Sequence, residues 1–285
     1  MKLGVNSVLF KPFSVMEAFK GIKQAGYDGV ELSAIPGMNP HLKLTDPEAI
    51  AQSIKDIKAA QAETGLALLS MELATQEPSM VRKAAKAAAE LGVPIVNVGP
   101  NGKTGEEGGV AFCAETVKNS AAICAAFGVT LCMKAHVGAA VYNTETTQAL
   151  MAAVTSDSFG VDMDPSHISR AGENPAEALP KIASRVKHIH IRDCKMPDPN
   201  AAPPVMPDGR PAPKGVIPPG PPAMQACGRG DIDLMGYFKA LVDAGYEGPV
   251  CLEVIGPDQT YDAACAIASE SFGYMNALLK VLGDR

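Results

Sequence analysis

Short apolar segments alternate with amphipathic segments eight times along this chain of 285 residues. The apolar segments have the length of buried strands, and we predict strands at residues 3–6, 29–32, 66–71, 94–98, 129–133, 159–163, 187–191 and 250–254. The amphipathic segments have apolar residues at helical spacing, and we predict helices at residues 15–25, 47–63, 79–91, 110–127, 144–154, 175–185, 234–244 and 263–282. Strands that alternate with helices in this way predict a parallel sheet covered by helices.

Eight strand–helix units favour a closed (β/α)₈ barrel, the TIM barrel, as a single α/β domain over residues 1–285. An open, doubly wound sheet is the alternative for an alternating chain of this size. The motif G-x-G-x-x-G, which a dinucleotide-binding sheet of that kind carries after its first strand, is absent after residues 3–6. We therefore expect the barrel, whose active sites form where the carboxyl ends of the strands meet.

A proline-rich segment interrupts the alternation after the seventh predicted strand. Residues 197–222 hold eleven of the 23 prolines, too many for a helix or an inner strand. In a barrel this loop insertion would stand at the carboxyl ends of the strands, beside the active site. We expect it to be a lid over the substrate or a contact in a homo-oligomer, with an exposed loop of no function as the alternative.

The composition excludes several classes of partner. The formal net charge is −6, whereas a general nucleic-acid-binding protein needs a basic surface. No apolar run reaches the roughly 18 residues that a membrane span requires, and the first residues lead into a predicted strand rather than a signal peptide. Seven cysteines without a C-x-x-C pair fit reduced thiols. We expect a cytoplasmic protein that binds a small molecule, with no nucleic-acid and no membrane partner.

Ionisable residues are concentrated where the predicted strands end. Four of the five histidines lie there, and strand residues two apart share a face, as His188 and His190 do. Two of these residues also have an ordinary interpretation, since Asp164 could cap the turn at Pro165 and His188 could be a core histidine. A buried Glu253 without a partner would be costly, which favours a functional role. The set comprises Glu31, Glu72, Lys134, His136, Asp162, Asp164, His167, His188, His190, Arg192 and Glu253.

Carboxylates and imidazoles that converge from three strands suit a divalent metal ion. Because an Asp, a His and a Glu without a thiolate form the set, it favours Mn²⁺, Mg²⁺ or Co²⁺ over structural zinc. The sequence therefore predicts a metal site at the carboxyl end of the barrel.

Five short motifs follow one another along the chain. They are Val30-Glu31-Leu32, Asp164-Pro165-Ser166-His167, and the segments 188–193, 228–233 and 246–253. In this order they resemble the sugar phosphate isomerase/epimerase superfamily, the xylose-isomerase-like TIM barrels, over nearly the whole chain. Each motif is weak alone, and together they are fairly specific for the superfamily but not for one substrate.

The resemblance implies a metal site with four ligands, which are a Glu, an Asp, a His and a Glu on strands 5 to 8. Asp164, His190 and Glu253 match the last three by position, whereas Lys134 stands where the family places its first Glu. Mn²⁺ is the ion that we expect first, with Mg²⁺ or Co²⁺ as alternatives. By the same resemblance, His167 touches substrate oxygens.

Lys134 leaves two interpretations open. An ammonium about 5 Å from a divalent ion is repelled by roughly 6–7 kcal/mol at an effective dielectric constant of about 20. Either the metal stays and a neutral Lys134 is the general base, or the site has no metal. In the second case a charged Lys134 pairs with Asp164 and Glu253 and polarises the substrate carbonyl itself.

The function that the resemblance implies is isomerisation or epimerisation of a keto-sugar or related polyol. Proton abstraction next to the carbonyl would give an enediolate, with Glu253, Lys134 or His136 moving the proton. The loss of the strand-5 Glu removes half of a symmetrical acid/base pair, so a dehydratase or lyase acting on a 3-keto-sugar is the alternative. A non-catalytic sugar-binding barrel is the third hypothesis. The expected substrate-binding residues are His167, Arg192, Glu31 and Glu72.

Overall fold

The computed structural model describes residues 1–196 and 219–285, and within them eight strands close into a barrel. The strands are β1 Lys2–Asn6, β2 Gly29–Ser33, β3 Ala67–Glu72, β4 Ile95–Val98, β5 Thr130–Lys134, β6 Phe159–Met163, β7 Val186–Ile191 and β8 Pro249–Leu252. Neighbouring strands are parallel, and β8 closes the ring against β1 with Val250 opposite Leu3. This architecture confirms the predicted TIM barrel.

Helices follow the strands and cover the outside of the barrel. They are α1 Val15–Ala25, α2 Pro47–Thr64, α3 Pro78–Leu91, α4 Gly109–Ala125, α5 Thr144–Ala153, α6 Pro165–Arg170, α7 Pro175–Ile182, α8 Leu234–Asp243 and α9 Tyr261–Leu282. Short 3₁₀-helices lie at Ser7–Phe10, Ala183–Arg185 and Pro222–Gln225. In the described part of the chain, no helix combines the length and the apolar composition needed to cross a membrane.

One predicted helix is shorter than expected. The helix predicted at residues 175–185 ends at Ile182, and Ala183–Arg185 forms a 3₁₀ turn that leads directly into β7. The last turn of a helix often tightens in this way, because such hydrogen bonds satisfy carbonyl groups that the α-helix leaves open. The other predicted bounds differ from the observed ones by two residues at most.

The short helix α6 is not predicted by the sequence pattern, because six residues are too few to show an apolar period. Asp164 is its N-cap, and Oδ1 of Asp164 accepts hydrogen bonds from the backbone N–H and the hydroxyl of Ser166, at 2.8 and 2.6 Å. Pro165 occupies the first helical position, where it fits well. The interpretation of Asp164 as a cap is thus confirmed for one of its two oxygens, and the helix brings His167 and Arg170 to the carboxyl end of the barrel.

Alternate residues of the strands face different surroundings. Leu32 and Ile189 point outward and pack in the buried core between the strands and the helices. Their neighbours Glu31 and His190 point inward, where they contact each other across the barrel from β2 to β7. The apolar core therefore lies around the barrel, whereas the barrel interior is polar towards its carboxyl end.

The proline-rich segment lies largely outside the described residues. Residues 197–218 are not among them, so the predicted lid or oligomer contact remains a prediction. After this segment the chain is fixed by Gln225, which is buried. The amide of Gln225 donates to the carbonyl of Ile255 at 2.6 Å and its oxygen accepts from the N–H of Ile255 at 3.0 Å. These bonds hold the end of the segment beside the loop that follows β8.

Candidate active site

A cavity of about 440 Å³ opens at the carboxyl end of the barrel, and its size suits a small ligand. Its apolar wall includes Ile35, Met38, Ala139 and Ile255. Every polar residue of the wall except Arg170 is among the residues predicted from the sequence. The polar residues are Glu72, Lys134, His136, His167, Arg170, Arg192 and Glu253.

Lys134 lies between two carboxyl groups at the floor of the cavity. Its Nζ is 2.7 Å from Oε1 of Glu253 and 3.2 Å from Oε1 of Glu72, and all three side chains are buried. Burial by itself would lower the pKa of Lys134, but Glu253 and then Glu72 outweigh it and hold the pKa above its ordinary value. Lys134 is therefore a charged ammonium at neutral pH, and this geometry favours its role as a cation over its role as a general base.

Arg192 forms a second bridge, between Glu253 and Asp164. Its two terminal nitrogens lie 3.3 Å from Oε2 of Glu253 and 3.3 Å from Oδ2 of Asp164. Its Nε donates to Oγ of Ser166 at 2.8 Å, which fixes the plane of the guanidinium. Among the described residues, Nη1 of Arg192, Oε2 of Glu253 and Oδ2 of Asp164 have no hydrogen-bond partner. Arg192 therefore forms close ion pairs with Glu253 and Asp164, and the three atoms named above make no well-oriented hydrogen bond in them.

The predicted partners of Lys134 are half right. The pairing with Glu253 is confirmed, but the pairing with Asp164 is wrong. Asp164 turns one oxygen to the start of α6 and the other to Arg192, while Glu72 from β3 takes its place beside Lys134. The reason is that Arg192 carries a longer, forked cation that reaches two carboxylates at once.

Glu72 is a carboxyl group that titrates near neutral pH. Burial and then the negative charge of Glu253 raise the pKa of Glu72 to about 8. Burial would also raise the pKa of Glu253, but Lys134, His190 and Arg192 hold that pKa well below its usual range. The cavity thus presents one ionised carboxylate, Glu253, and one carboxyl group, Glu72, that is mostly protonated at pH 7.

Two asparagines hold the carboxyl groups of Glu31 and Glu72 in place. Asn6 at the end of β1 donates to Oε2 of Glu31 at 3.0 Å and to Oε2 of Glu72 at 2.6 Å. Asn97 in β4 donates to Oε1 of Glu31 at 2.6 Å. Because each amide nitrogen donates to an acidic oxygen, Glu31 and Glu72 have fixed orientations. Both asparagines were missed from the sequence because they do not titrate. They lie towards the carboxyl ends of β1 and β4, as the predicted residues do on the other strands.

His190 lies one layer deeper, between Glu31 and Asp162. Its Nε2 contacts Oε2 of Glu31, and its backbone N–H donates to Oδ1 of Asp162 at 3.0 Å. Burial would lower the pKa of His190, but Asp162 and Glu31 raise it well above its ordinary value. His188 lies beside it, with Nδ1 3.0 Å from Oδ1 of Asp162 and Nε2 2.9 Å from Oγ of Ser70. This layer supports the cavity floor and does not border the cavity.

Two neutral imidazoles form one side of the cavity. The rings of His136 and His167 lie 4.1 Å apart. Loss of hydration and then the charge of Lys134 lower the pKa of His136, and burial and then His136 lower that of His167. Nδ1 of His136 is 2.9 Å from the carbonyl oxygen of Val137, so it carries the proton and leaves Nε2 as an acceptor. Nε2 of His167 lies 2.9 Å from Arg192.

A family model described as xylose isomerase-like TIM barrel matches residues 19–276. The chain belongs to this family. The resemblance to the superfamily of sugar isomerases and epimerases is therefore confirmed. A solved structure of a D-tagatose 3-epimerase-like protein has a TM-score of 0.73 and 17% identity to this chain, and the match covers 100% of this chain and 99% of the other. At that identity the likeness shows the fold alone.

Curated relatives of this xylose isomerase-like barrel are inosose dehydratases. One from Clostridium botulinum (strain Eklund 17B / Type B) is 32% identical over 118 residues, which are 41% of this chain and 38% of the relative. One from Clostridium perfringens (strain 13 / Type A) is 31% identical over 140 residues, which are 49% of this chain and 45% of the relative. The chain matches these relatives over less than half of their length.

Buried Glu, His and Asp side chains in this barrel could hold a metal ion. The predicted set of Asp164, His190 and Glu253 is not among the compact groups in residues 1–196 and 219–285. Glu31 and Glu72, which belong to one such group, already accept the hydrogen bonds of Asn6 and Lys134 described above. The groups, each with ligand atoms within 4.8 Å of one another, are Glu31–His188–Cys251, Asp162–His188–His190 and Glu31–Glu72–His190.

The metal site of the family does not fit the predicted ligands as they stand. An ion on Asp164 and Glu253 would lie about 2 Å from their oxygens. Lys134 contacts Glu253 at 2.7 Å, and Arg192 lies 3.3 Å from Glu253 and from Asp164, which places both cations within roughly 5 Å of such an ion. Each would then repel the ion by about 7 kcal/mol at an effective dielectric constant of about 20. Lys134 and Arg192 would have to move before the metal could bind there.

The structure brings most of the predicted site residues together. Arg170 was missed with the helix α6 that carries it, although the pair Asp164-Pro165 is a helix-start signal. The roles given to Glu31 as a substrate-binding residue and to His190 as a metal ligand remain predictions. Glu72, Lys134, His136, His167, Arg192 and Glu253 border the cavity, whereas Glu31, Asp164 and His190 are buried and do not border it.

Proposed function

We propose that this protein is a dehydratase that removes water from a keto-polyol, such as a 3-keto-sugar or an inosose. The observation that carries this proposal is the position of Lys134 between Glu72 and Glu253. Lys134 stands where the superfamily places one carboxylate of its symmetrical acid/base pair, and Glu72 from β3 brings a carboxyl group to the cavity instead. A base, Glu253, and a separate acid, Glu72, suit the removal of a proton and a hydroxyl.

The proposed reaction has two proton transfers. The Glu253 carboxylate takes the proton from the carbon next to the carbonyl, and the electron pair moves to the carbonyl oxygen, giving an enolate. The enolate then re-forms the carbonyl, the β-hydroxyl leaves, and protonated Glu72 supplies the proton that makes it water. The products are an α,β-unsaturated ketone and water. Lys134, which contacts both carboxyl groups, can return the proton from Glu253 to Glu72.

The names of the curated relatives support the same chemistry, because they are inosose dehydratases. An inosose is a ketone of a cyclic polyol, so it belongs to the class of substrate that is proposed for this chain. Epimerisation or isomerisation, which the superfamily implies, is the competing proposal. A Mn²⁺-dependent reaction of either kind, with Mg²⁺ or Co²⁺ as alternatives, would require Lys134 to turn away from Glu253.

Incubation with inososes and 3-keto-sugars in deuterated water tests the proposal. We expect ultraviolet absorbance of a conjugated ketone, with the product identified by NMR. Glu253→Gln should abolish both deuterium exchange and dehydration. Glu72→Gln should keep exchange at the carbon next to the carbonyl and lose dehydration, because only the acid is missing. An epimer that carries solvent deuterium, formed without unsaturated ketone, would favour the epimerase, and no exchange with any ketone would favour a sugar-binding barrel.

We also propose that the enzyme acts in the cytoplasm as a homo-oligomer on a small sugar, without nucleic-acid or membrane partners. All seven cysteines are free thiols, which suits a reducing compartment. The net charge of −6 gives no attraction for phosphate backbones. The expected oligomer rests on the proline-rich segment 197–222 alone, which the sequence analysis assigns to a lid or a subunit contact.

A further inference from the structure

The cavity floor carries two cations that share one carboxylate. Lys134 contacts Oε1 of Glu253 and Arg192 lies beside Oε2 of the same group. We infer that Lys134 and Arg192 replace a divalent metal as the electrophile that holds the carbonyl oxygen of the substrate. This inference rests on the proposed function, because that function requires an enolate oxygen to be stabilised.

Each cation keeps a donor for a ligand. An ammonium has three N–H donors, and the described residues occupy two of those of Lys134, through Glu72 and Glu253. The guanidinium of Arg192 uses Nε on Ser166, and its Nη1 has no hydrogen-bond partner in the described ranges. Because both cations border Glu253, an oxygen placed next to that carboxylate can receive one hydrogen bond from each.

Both cations are buried and held by contacts within the protein itself. Lys134 and Arg192 are 5% and 3% exposed, and each contacts carboxylates from two different parts of the barrel. Donors that are fixed in advance stabilise a developing negative charge without a reorganisation step. A carbonyl oxygen that becomes an enolate oxygen is such a charge, and it lies beside the carbon whose proton Glu253 removes.

The same arrangement excludes the ion. Asp164 and Glu253, the two carboxylates that would bind it, are the partners of Arg192 and Lys134. The chain therefore supplies two positive charges at the position where an ion would supply the same formal charge. The carbonyl is polarised by hydrogen bonds from side chains instead of by a Lewis acid.

Mn²⁺ binding without substrate tests this inference. Isothermal titration of the chelator-treated wild-type protein should show no stoichiometric Mn²⁺ binding. Lys134→Glu removes a charge that repels the ion and adds a ligand, so we expect Mn²⁺ affinity to rise by about tenfold or more. Lys134→Arg is the matched control, since it keeps the cation and should not bind Mn²⁺. Circular dichroism confirms that each variant is folded.

Two results would overturn the inference. One is a single equivalent of Mn²⁺ bound by the wild-type protein and lost in Asp164→Asn. The other is a folded Lys134→Glu variant that binds Mn²⁺ no better than Lys134→Arg. Deuterium exchange of the ketone by wild-type enzyme should also be unchanged by chelation. If the titrations give the expected results but no ketone exchanges, the proposed function fails, and the role of the two cations as the electrophile fails with it. The exclusion of the metal by Lys134 and Arg192 then stands alone.

Discussion

At the scale of single residues, Lys134 joins two parts of the barrel, because its ammonium contacts Glu72 of β3 and Glu253 just after β8. Its position at the end of β5 and its departure from the superfamily pattern are visible in the sequence. Its pairing with Glu253 belongs to one of the two interpretations that the sequence leaves open, and the structure favours that one. Its second partner is not visible, because Glu72 is 62 positions away on β3 and reaches Lys134 only inside the closed barrel. Pairs of this kind depend on side-chain length and on competing cations such as Arg192, which spacing along a chain does not reveal.

The raised pKa of Glu72 gives a prediction about stability and pH. In the unfolded chain Glu72 titrates near its ordinary value of 4.5, and in the folded protein at about 8. The folded state therefore binds this proton more tightly, and the stabilisation is fully present below the unfolded pKa and is lost as the pH rises through the folded pKa. Relative to Glu72→Gln, the wild-type protein should lose unfolding free energy between about pH 4.5 and 8.

Urea unfolding of both proteins at several pH values measures this difference. The comparison with Glu72→Gln cancels the titration of carboxyl groups that both proteins share. A difference in unfolding free energy that stays constant from pH 5 to pH 8 would show that Glu72 is ionised in the folded protein. In that case Glu72 could not be the acid of the proposed dehydration.

At the scale of elements, the sequence predicts regular periods well and short polar helices poorly. All eight strands and eight of the helices follow from apolar spacing. The helix α6 has only six residues and begins with Asp164-Pro165, a signal that the sequence analysis assigns to a turn. The consequence is functional, because α6 carries His167 and Arg170 to the cavity. A helix that is too short to show an apolar period in the sequence can therefore carry residues of the active-site cavity.

Asp164 combines a structural and an electrostatic role in α6, and two substitutions separate them. Asp164→Asn keeps a good N-cap and loses the charge beside Arg192, whereas Asp164→Ala loses both. We expect Asp164→Ala to be less stable than Asp164→Asn by about 1 kcal/mol in urea unfolding. Both variants should lose activity, since the guanidinium of Arg192 then has one anchor fewer. Equal stability of the two variants would show that the cap contributes nothing to the fold.

At the scale of the whole molecule, the number of strand–helix units determines the barrel, and the barrel determines which residues meet. Contacts across the interior join β2 to β7 through Glu31 and His190, and β5 to the end of β8 through Lys134 and Glu253. Neither pair is close in sequence, and both follow only from ring closure of β8 against β1. The site could therefore be predicted as a set of residues at one end, but its internal pairs could not.

Ring closure also makes the barrel sensitive to added volume where strands approach closely. A Cβ atom at Gly29 would lie 2.5 Å from the carbonyl oxygen of Ala67 on β3 and 2.6 Å from Cγ of Leu69. In an open sheet β2 could move away, but in a closed barrel the displacement is opposed by every other strand pair. We expect Gly29→Ala to lower the unfolding free energy by about 2 kcal/mol or more.

Gly273 in α9 is the matched control, since an added Cβ meets no atom within 4 Å there and the backbone does not require glycine. Gly273→Ala should raise the unfolding free energy by about 0.5–1 kcal/mol, because alanine favours a helix over the unfolded chain. Urea unfolding of the two variants beside the wild-type protein measures both effects. Gly29→Ala with wild-type stability would mean that β2 and β3 separate without cost, and the barrel would not impose the rigid spacing on which the Lys134 and Arg192 contacts depend.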